Sequence, residues 1–245
     1  HHMEDIDSLN ILAESGKLPV TAISAARYPD VSSHYRIMSC GSSVGRNYGP
    51  VVVARERMSE RDLEGVRVAI PGKFTTSALL FNIFGPEEYQ PIFVDFDDVG
   101  RAIKEGRTDV GILLHEGQIL YEQQGFHGIM NLGEKWHLAT SLPIPLGLDL
   151  VSRHLGETLV QKIADASLAS IKYARNHESE ALDYALSFGR GISQDDGRKF
   201  VRMYVNDDTV DMGKEGRQAL ETLFSMGVEH GMIAKLPDLD IVQAR

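Results

Sequence analysis

Thiol chemistry has little to draw on in this chain: Cys40 is the only cysteine among 245 residues. One thiol cannot close an internal disulfide, and without a CxxC pair there is no zinc or redox motif. Cys40 as a nucleophile is an alternative, but a lone cysteine is more often buried and inert. Such cysteine usage fits a reducing compartment, and a cytoplasmic location is expected. Basic clusters are equally scarce. The formal charge is −10, and no basic run or aromatic–basic ladder exists to displace counterions, so nucleic acid is not expected as a partner. No apolar stretch approaches the roughly 20 residues of a membrane span. A basic segment followed by an apolar core is also missing at the start, so neither a membrane nor secretion is expected. HExxH and related ligand spacings are absent, which predicts no catalytic metal. The GxSxG elbow and the GxGxxG loop are absent too, which removes the commonest hydrolase and dinucleotide readings. His1, His2 and Met3 read as a tag remnant and a start codon, and they enter neither the fold nor any metal argument.

What is present is an ordinary globular composition, long enough for one large or two modest domains. Residues 66–71 (VRVAIP), 91–96 (PIFVDF) and 110–114 (VGILL) read as strands, with a weaker fourth at 128–132. Between them, 75–84 reads as a helix opened by hydroxyl residues. Asp97 is expected to cap another, with Val99, Ala102 and Ile103 on one face and Gly106 at its end. Strands separated by helices of this length predict βαβ units and a parallel or mixed sheet. The last hundred or so residues are helical in pattern. Leu159, Val160, Ile163, Ala164, Leu168 and Ile171 form one apolar stripe. Residues 178–188 read as a second helix stopped at Gly189, Ser193 with Asp196 as the capping start of a third, and Leu220, Leu223, Phe224 and Val228 as the face of a fourth ended by Gly231. Two extended apolar runs, 50–55 and 145–153, bracket the central βα block. A chain that leaves one α/β lobe, builds a second and returns is the plan of a hinged binding protein, with a single open sheet as the alternative.

Four places could carry chemistry. His115 ends the run 110–114, and ligands of open α/β sheets bind beyond such strand ends. A neutral imidazole there can take a proton near neutral pH, with Glu116 beside it to tune the pKa; a structural histidine is the alternative. Gly72 to Ser77 is a turn with three hydroxyls at a helix start, where free N–H groups favour anionic oxygens, although simple capping would explain it as well. Ser24 ends another short apolar run and could bond a ligand or merely a turn. The stretch 40–50 (CGSSVGRNYGP) lets backbone approach a ligand, and its Arg46 could pair with a substrate carboxylate or stay exposed. Asp207, Asp208, Glu178 and Glu180 are expected to be solvated charges of loops or helix starts.

Taken in order, EDIDSLN (4–10), GKLPVTAIS (16–24), VGRNYGPVVVAR (44–55), VAIPGKFTTS (68–77), GILLHE (111–116), LPIPLG (142–147), EALDYA (180–185) and MYVNDDTVDMG (203–213) resemble one family, the 1,4-dihydroxy-6-naphthoate synthases of menaquinone biosynthesis. The resemblance runs from Glu4 to about Ile233. It implies an α/β fold of the two-lobed periplasmic-binding-protein-like kind (type II), with mixed sheets flanked by helices and joined by two hinge strands. Residues 1–51 and 147–245 would form one lobe, 52–146 the other, with the ligand cleft between. It further implies His115 as the catalytic proton acceptor, and Ala22, Ile23, Ser24, Thr76 and Ser77 as substrate-contacting residues. The implied reaction converts a small molecule, cyclic dehypoxanthine futalosine, to 1,4-dihydroxy-6-naphthoate and needs no cofactor. Members of the family are expected to carry a further strand, a cleft-lining loop and a helix ahead of the segment matching EDIDSLN. A partner chain standing in for such a strand would make a homodimer. Rival expectations are a chorismate dehydratase of the same pathway, a solute-binding protein without chemistry, and the effector lobe of a regulator.

Overall fold

The computed structural model describes residues 3–46, 48–115, 117–188 and 193–245. The chain opens with α1 (Ile6–Ala13), β1 (Val20–Ser24), a short α2 (Tyr28–Val31), β2 (Tyr35–Met38) and β3 (Ser43–Gly45). A second group follows: β4 (Val51–Ala54), β5 (Arg67–Ile70), α3 (Thr76–Phe84), β6 (Gln90–Phe93), α4 (Val99–Lys104), β7 (Val110–Leu113), α5 (Gly117–Leu120), β8 (His127–Asn131) and α6 (Leu132–Thr140). The chain then returns through β9 (Ile144–Ser152) to α7 (Glu157–Asn176), α8 (Glu178–Leu186), α9 (Gln194–Tyr204), α10 (Asp207–Val210), α11 (Gly213–Glu229) and β10 (Ile241–Val242).

Two sheets result. In the first the order is β1-β9-β2-β10, with β3 also against β9. Strand β9 runs antiparallel to β1, β2 and β3, while β10 lies parallel to β2. The second has the order β6-β5-β7-β4-β8. There β5 is parallel to β6 and β7, and β4 is antiparallel to β7 and β8. Both sheets are therefore mixed, and the molecule has the two-lobed α/β fold expected from the sequence.

The two runs read as connections are working strands. All four residues of β4 are buried. Val51 and Val53 pack on one face with Val99, Ala102 and Ile103 of α4, and Val52 and Ala54 pack on the other. A strand covered on both faces has no polar side to alternate with, which explains the unbroken apolar run. Strand β9 is longer and borders three partners in succession, so it carries the first sheet.

The main core contains Ile23, Ile37, Leu148 and Leu150 of the first sheet, Val52, Ile70 and Ile112 of the second, and Leu80, Phe81, Leu220 and Phe224 of α3 and α11. The two lobes thus share one continuous apolar interior. Val160, Ala164 and Leu168, from the stripe read in the sequence, cover the outer face of the first sheet through Met38, Cys40 and Val151. Cys40 is buried there and its thiol is pushed up to about 11, by burial first and by the Asp149 charge second, so it is poorly suited to be a nucleophile.

Helix boundaries follow the capping chemistry with two departures. Thr75 caps α3, its Oγ1 accepting from Ala78 N–H at 3.3 Å, and Ser193 caps α9 by accepting from Asp196 N–H at 3.1 Å. Asp97, however, does not cap α4. The cap position is Asp98, whose side chain makes no capping bond and instead holds Arg101 and Arg107 in ion pairs. A carboxylate offered two guanidinium groups gains more from them than from one backbone N–H. Asp208 is the second departure: it is buried, not solvated, and binds Arg46 through two 2.9 Å bonds. Arg46 also meets Glu215 at 2.9 Å, so it serves as a structural tie between β3 and the helices that follow β9. Helix α6 was not anticipated from the pattern. It starts where Asn131 Oδ1 accepts from Gly133 and Glu134 N–H. The expected stop at Gly189 and the tuning role of Glu116 lie outside the described residues.

Half-buried Asp149 on β9 lies close beside Gly41, where an added methyl would stand 2.1 Å from its Oδ2. Burial raises its pKa from 3.8 to about 7. The folded protein therefore binds a proton that the unfolded chain has released between those values. That contribution is whole below about pH 4 and is lost as pH rises through about 7. We expect Asp149→Asn to be more stable than the parent at pH 8 by roughly 1–2 kcal/mol, after discounting for partial exposure. Urea melts at pH 4.5, 6 and 8 check this: the gap should close toward pH 4.5, and a pH-independent gap would contradict it.

Candidate active site

Strands β5 and β7 are parallel neighbours, so the loops after them emerge on the same edge of the second sheet. The first loop delivers Thr75, Thr76 and Ser77; the second delivers His115. They line a cavity of about 310 Å³ together with Ser24 from the end of β1, Gly147 from β9 and Ser43 from β3. Each sheet supplies one wall. Leu114, Leu146, Phe200 and Tyr204 complete a largely apolar lining with a few convergent polar groups, the usual make-up of a small-molecule site.

The six residues singled out by the sequence divide into two groups. His115, Ser24, Thr76 and Ser77 are brought together around the cavity. Ile23 points into the core and is fully buried, and Ala22 lies opposite Asp149 in the β1–β9 register, so neither lines this cavity. Strand alternation turns Ile23 to the opposite face from Ser24, whereas Ala22 shares the Ser24 face but lies two residues further back along β1, short of the cleft.

Hydrogen bonding decides what each hydroxyl can still offer. Ser24 is held by Asn10, fully buried on α1. Asn10 Oδ1 accepts from Ser24 N–H at 2.8 Å, and its Nδ2 donates to Ser24 Oγ at 3.0 Å. The Ser24 hydroxyl proton is thereby left for a ligand. Thr76 Oγ1 is committed: it donates to Leu146 O at 2.8 Å and accepts from Ala26 N–H at 3.2 Å, tying α3 to β9 and to the turn after β1. Thr75 Oγ1 donates to Gly72 O at 2.9 Å, so at its 2.9 Å contact with Ser77 the latter is the donor. Ser77 Oγ remains an acceptor. The opening N–H groups of α3, at Thr76 and Ser77, have no acceptor among the described residues. They supply a local positive end for an anionic or carbonyl oxygen.

His115 adopts a left-handed backbone conformation, with φ of 51°. Such a conformation is uncommon outside glycine and is retained where surroundings hold it, typically at functional positions. Its ring meets Phe96 and Phe200 edge to face, with centroids 5.2 and 6.0 Å away. A groove of about 760 Å³, lined by Leu9, Leu186, Phe188 and the same two phenylalanines, also borders His115. His115 thus borders both a hydroxyl-lined cavity and a largely apolar groove.

Sequence reading missed Asn10, Gln118, Phe200 and Tyr204. Asn10 sits inside a segment quoted above, but nothing in its spacing marks a side chain that orients Ser24. Tyr204 Oη hydrogen-bonds the Gln118 amide at 2.9 Å across a gap of 86 positions, and only the folded topology joins them. Burial raises the Tyr204 pKa, so its phenol stays a neutral donor.

Comparison with known proteins now bears on this site. A family model described as menaquinone biosynthesis matches residues 1–229. The chain belongs to this family. It is 35% identical to the 1,4-dihydroxy-6-naphtoate synthase of Thermus thermophilus, over 96% of the chain and 85% of that protein. It is 31% identical to the synthase of that name from Streptomyces coelicolor, over 96% of the chain and 84% of that protein. Both names favour the synthase reading made from the sequence over the dehydratase. A crystal structure of a protein from Archaeoglobus fulgidus superposes with a TM-score of 0.91 at 38% identity, covering 95% of this chain and 87% of that one. The alkanesulfonate-binding protein of Xanthomonas axonopodis, bound to MOPS, superposes at 0.69 with 10% identity, covering 98% and 85%, and shares the fold alone. Among the described residues no helix is long and apolar enough to cross a membrane, and no three His, Cys, Asp or Glu side chains form a metal-sized group.

Proposed function

We propose that this menaquinone-biosynthesis enzyme acts on cyclic dehypoxanthine futalosine in the cytoplasm and releases 1,4-dihydroxy-6-naphthoate, with His115 as the base. The observation that supports it most is the meeting of His115 with Ser24, Thr76 and Ser77 in one cavity, since those residues come from both sheets. In this reading His115 takes a proton from the substrate. The electrons left behind open the ring and expel the ribose-derived fragment. Aromatisation of the naphthoate supplies the driving force. The Ser24 hydroxyl donates to a substrate oxygen, and the N–H groups of Thr76 and Ser77 receive the developing negative charge. The apolar walls keep water from the reacting centre.

Incubating the purified chain with cyclic dehypoxanthine futalosine and following the naphthoate chromophore tests the reading directly. Naphthoate formation is expected. Conversion of chorismate instead, or binding of the futalosine without product, would overturn it in favour of the dehydratase or of a solute binder.

A further inference from the structure

His115 is held at both backbone ends by one residue. Gln118 N–H donates to His115 O at 3.2 Å, closing the turn after β7. In the amide orientation that gives both its ends a partner, Gln118 Oε1 accepts from His115 N–H at 3.0 Å. The same amide then donates to Gly49 O and lies 2.9 Å from Tyr204 Oη. Gly49 lies just before β4 and Tyr204 ends α9, so the amide bridges the β7 loop to the segment leading into β4 and to α9.

We propose that Gln118 is a positioning residue: it fixes the left-handed backbone of His115 and hence the direction of the imidazole, and Tyr204 locks Gln118 when α9 is seated. This rests on His115 being the base. Three features carry it. First, a left-handed conformation costs about 1–2 kcal/mol at a residue with a side chain and needs outside support. The two backbone bonds from Gln118 supply that support. Second, Tyr204 packs against Tyr48 and Phe200, at 5.3 and 4.9 Å between centroids, so its hydroxyl is held rather than free to swing. Third, Phe200 also contacts the His115 ring, so seating α9 orders the imidazole through both its backbone and its edge. Gln118 borders the cavity, but its amide is engaged by His115, Gly49 and Tyr204, so its effect is expected on kcat more than on KM.

The test uses the full chain and two substitutions. Gln118→Leu keeps the volume and removes both polar ends; Tyr204→Phe keeps the ring and removes the lock. We expect Gln118→Leu to lower kcat by about 10–100-fold, the range a small misplacement of a catalytic group causes, with KM within about twofold. Tyr204→Phe should lower kcat by about fivefold, as the loss of one neutral hydrogen bond implies. A second readout does not depend on the reaction: the rate at which diethyl pyrocarbonate modifies His115, followed by peptide mass. That rate should rise several-fold in Gln118→Leu once the ring is released. Unchanged labelling in a folded Gln118→Leu variant, or kcat within twofold of the parent, overturns the positioning role. A parent that fails to turn over the futalosine while the labelling rates still differ overturns the proposed reaction and leaves the positioning role standing.

Discussion

His115→Ala should abolish naphthoate formation, lowering kcat by about 10³-fold or more, because a positioned general base contributes about 10²–10⁴-fold. Its left-handed backbone is compatible with alanine only at some cost, so His115→Asn is the better partner variant. Asparagine tolerates that conformation and removes the base. Both should bind the futalosine with nearly parental affinity, since the polar contacts assigned to Ser24, Thr76 and Ser77 are left intact. Single-turnover assays with circular dichroism as the fold control measure the effect. Retention of more than a tenth of the parental kcat by His115→Asn would mean that some other group takes the proton.

The second large effect is expected at Thr76. Thr76→Val removes a hydroxyl that serves two backbone groups of the first sheet's elements, Leu146 O on β9 and Ala26 N–H after β1. Each loses its partner, at about 1–3 kcal/mol for a buried group. We expect a loss of about 2–4 kcal/mol in urea unfolding at unchanged m-value. Thr76→Ser keeps the hydroxyl and should stay within about 1 kcal/mol of the parent. Turnover should fall in the valine variant and hold in the serine one. An equal loss in both would show that the methyl packing of Thr76 matters and the tie does not.

How much of this was legible beforehand depends on the distance over which the physics acts. Local rules placed β5, β7, α3 and the cap at Thr75 within a residue or two, because short apolar runs and capping are set by neighbours in the chain. The cleft edge was legible too, since the loops after two parallel strands must emerge together. The role of Thr76 was not: its hydroxyl was expected to meet substrate, yet it is spent on groups 50 and 70 positions away. Asp208 looked like a solvent charge because its partner, Arg46, is 162 positions distant. Gln118 and Tyr204 are ordinary polar residues until the fold sets them against His115. Asp97 and Asp98 are adjacent carboxylates, and the ion pairs of Asp98 with Arg101 and Arg107 form only once the fold sets the guanidinium groups beside it.

The three-sided pairing of β9 has a consequence for the order in which the molecule can form. Every strand of the second sheet comes from one uninterrupted stretch, residues 51–131. A nascent chain can therefore complete that sheet while the first still lacks its middle. β1, β2 and β3 have emerged by then, but they have nothing to bond until β9 arrives, and β10 is added near the C-terminus. Closing so long a loop is the slow step for any sheet. During synthesis the hydroxyl-bearing α3 and the His115 turn would thus already stand on a finished scaffold, waiting for β9 to raise the facing wall.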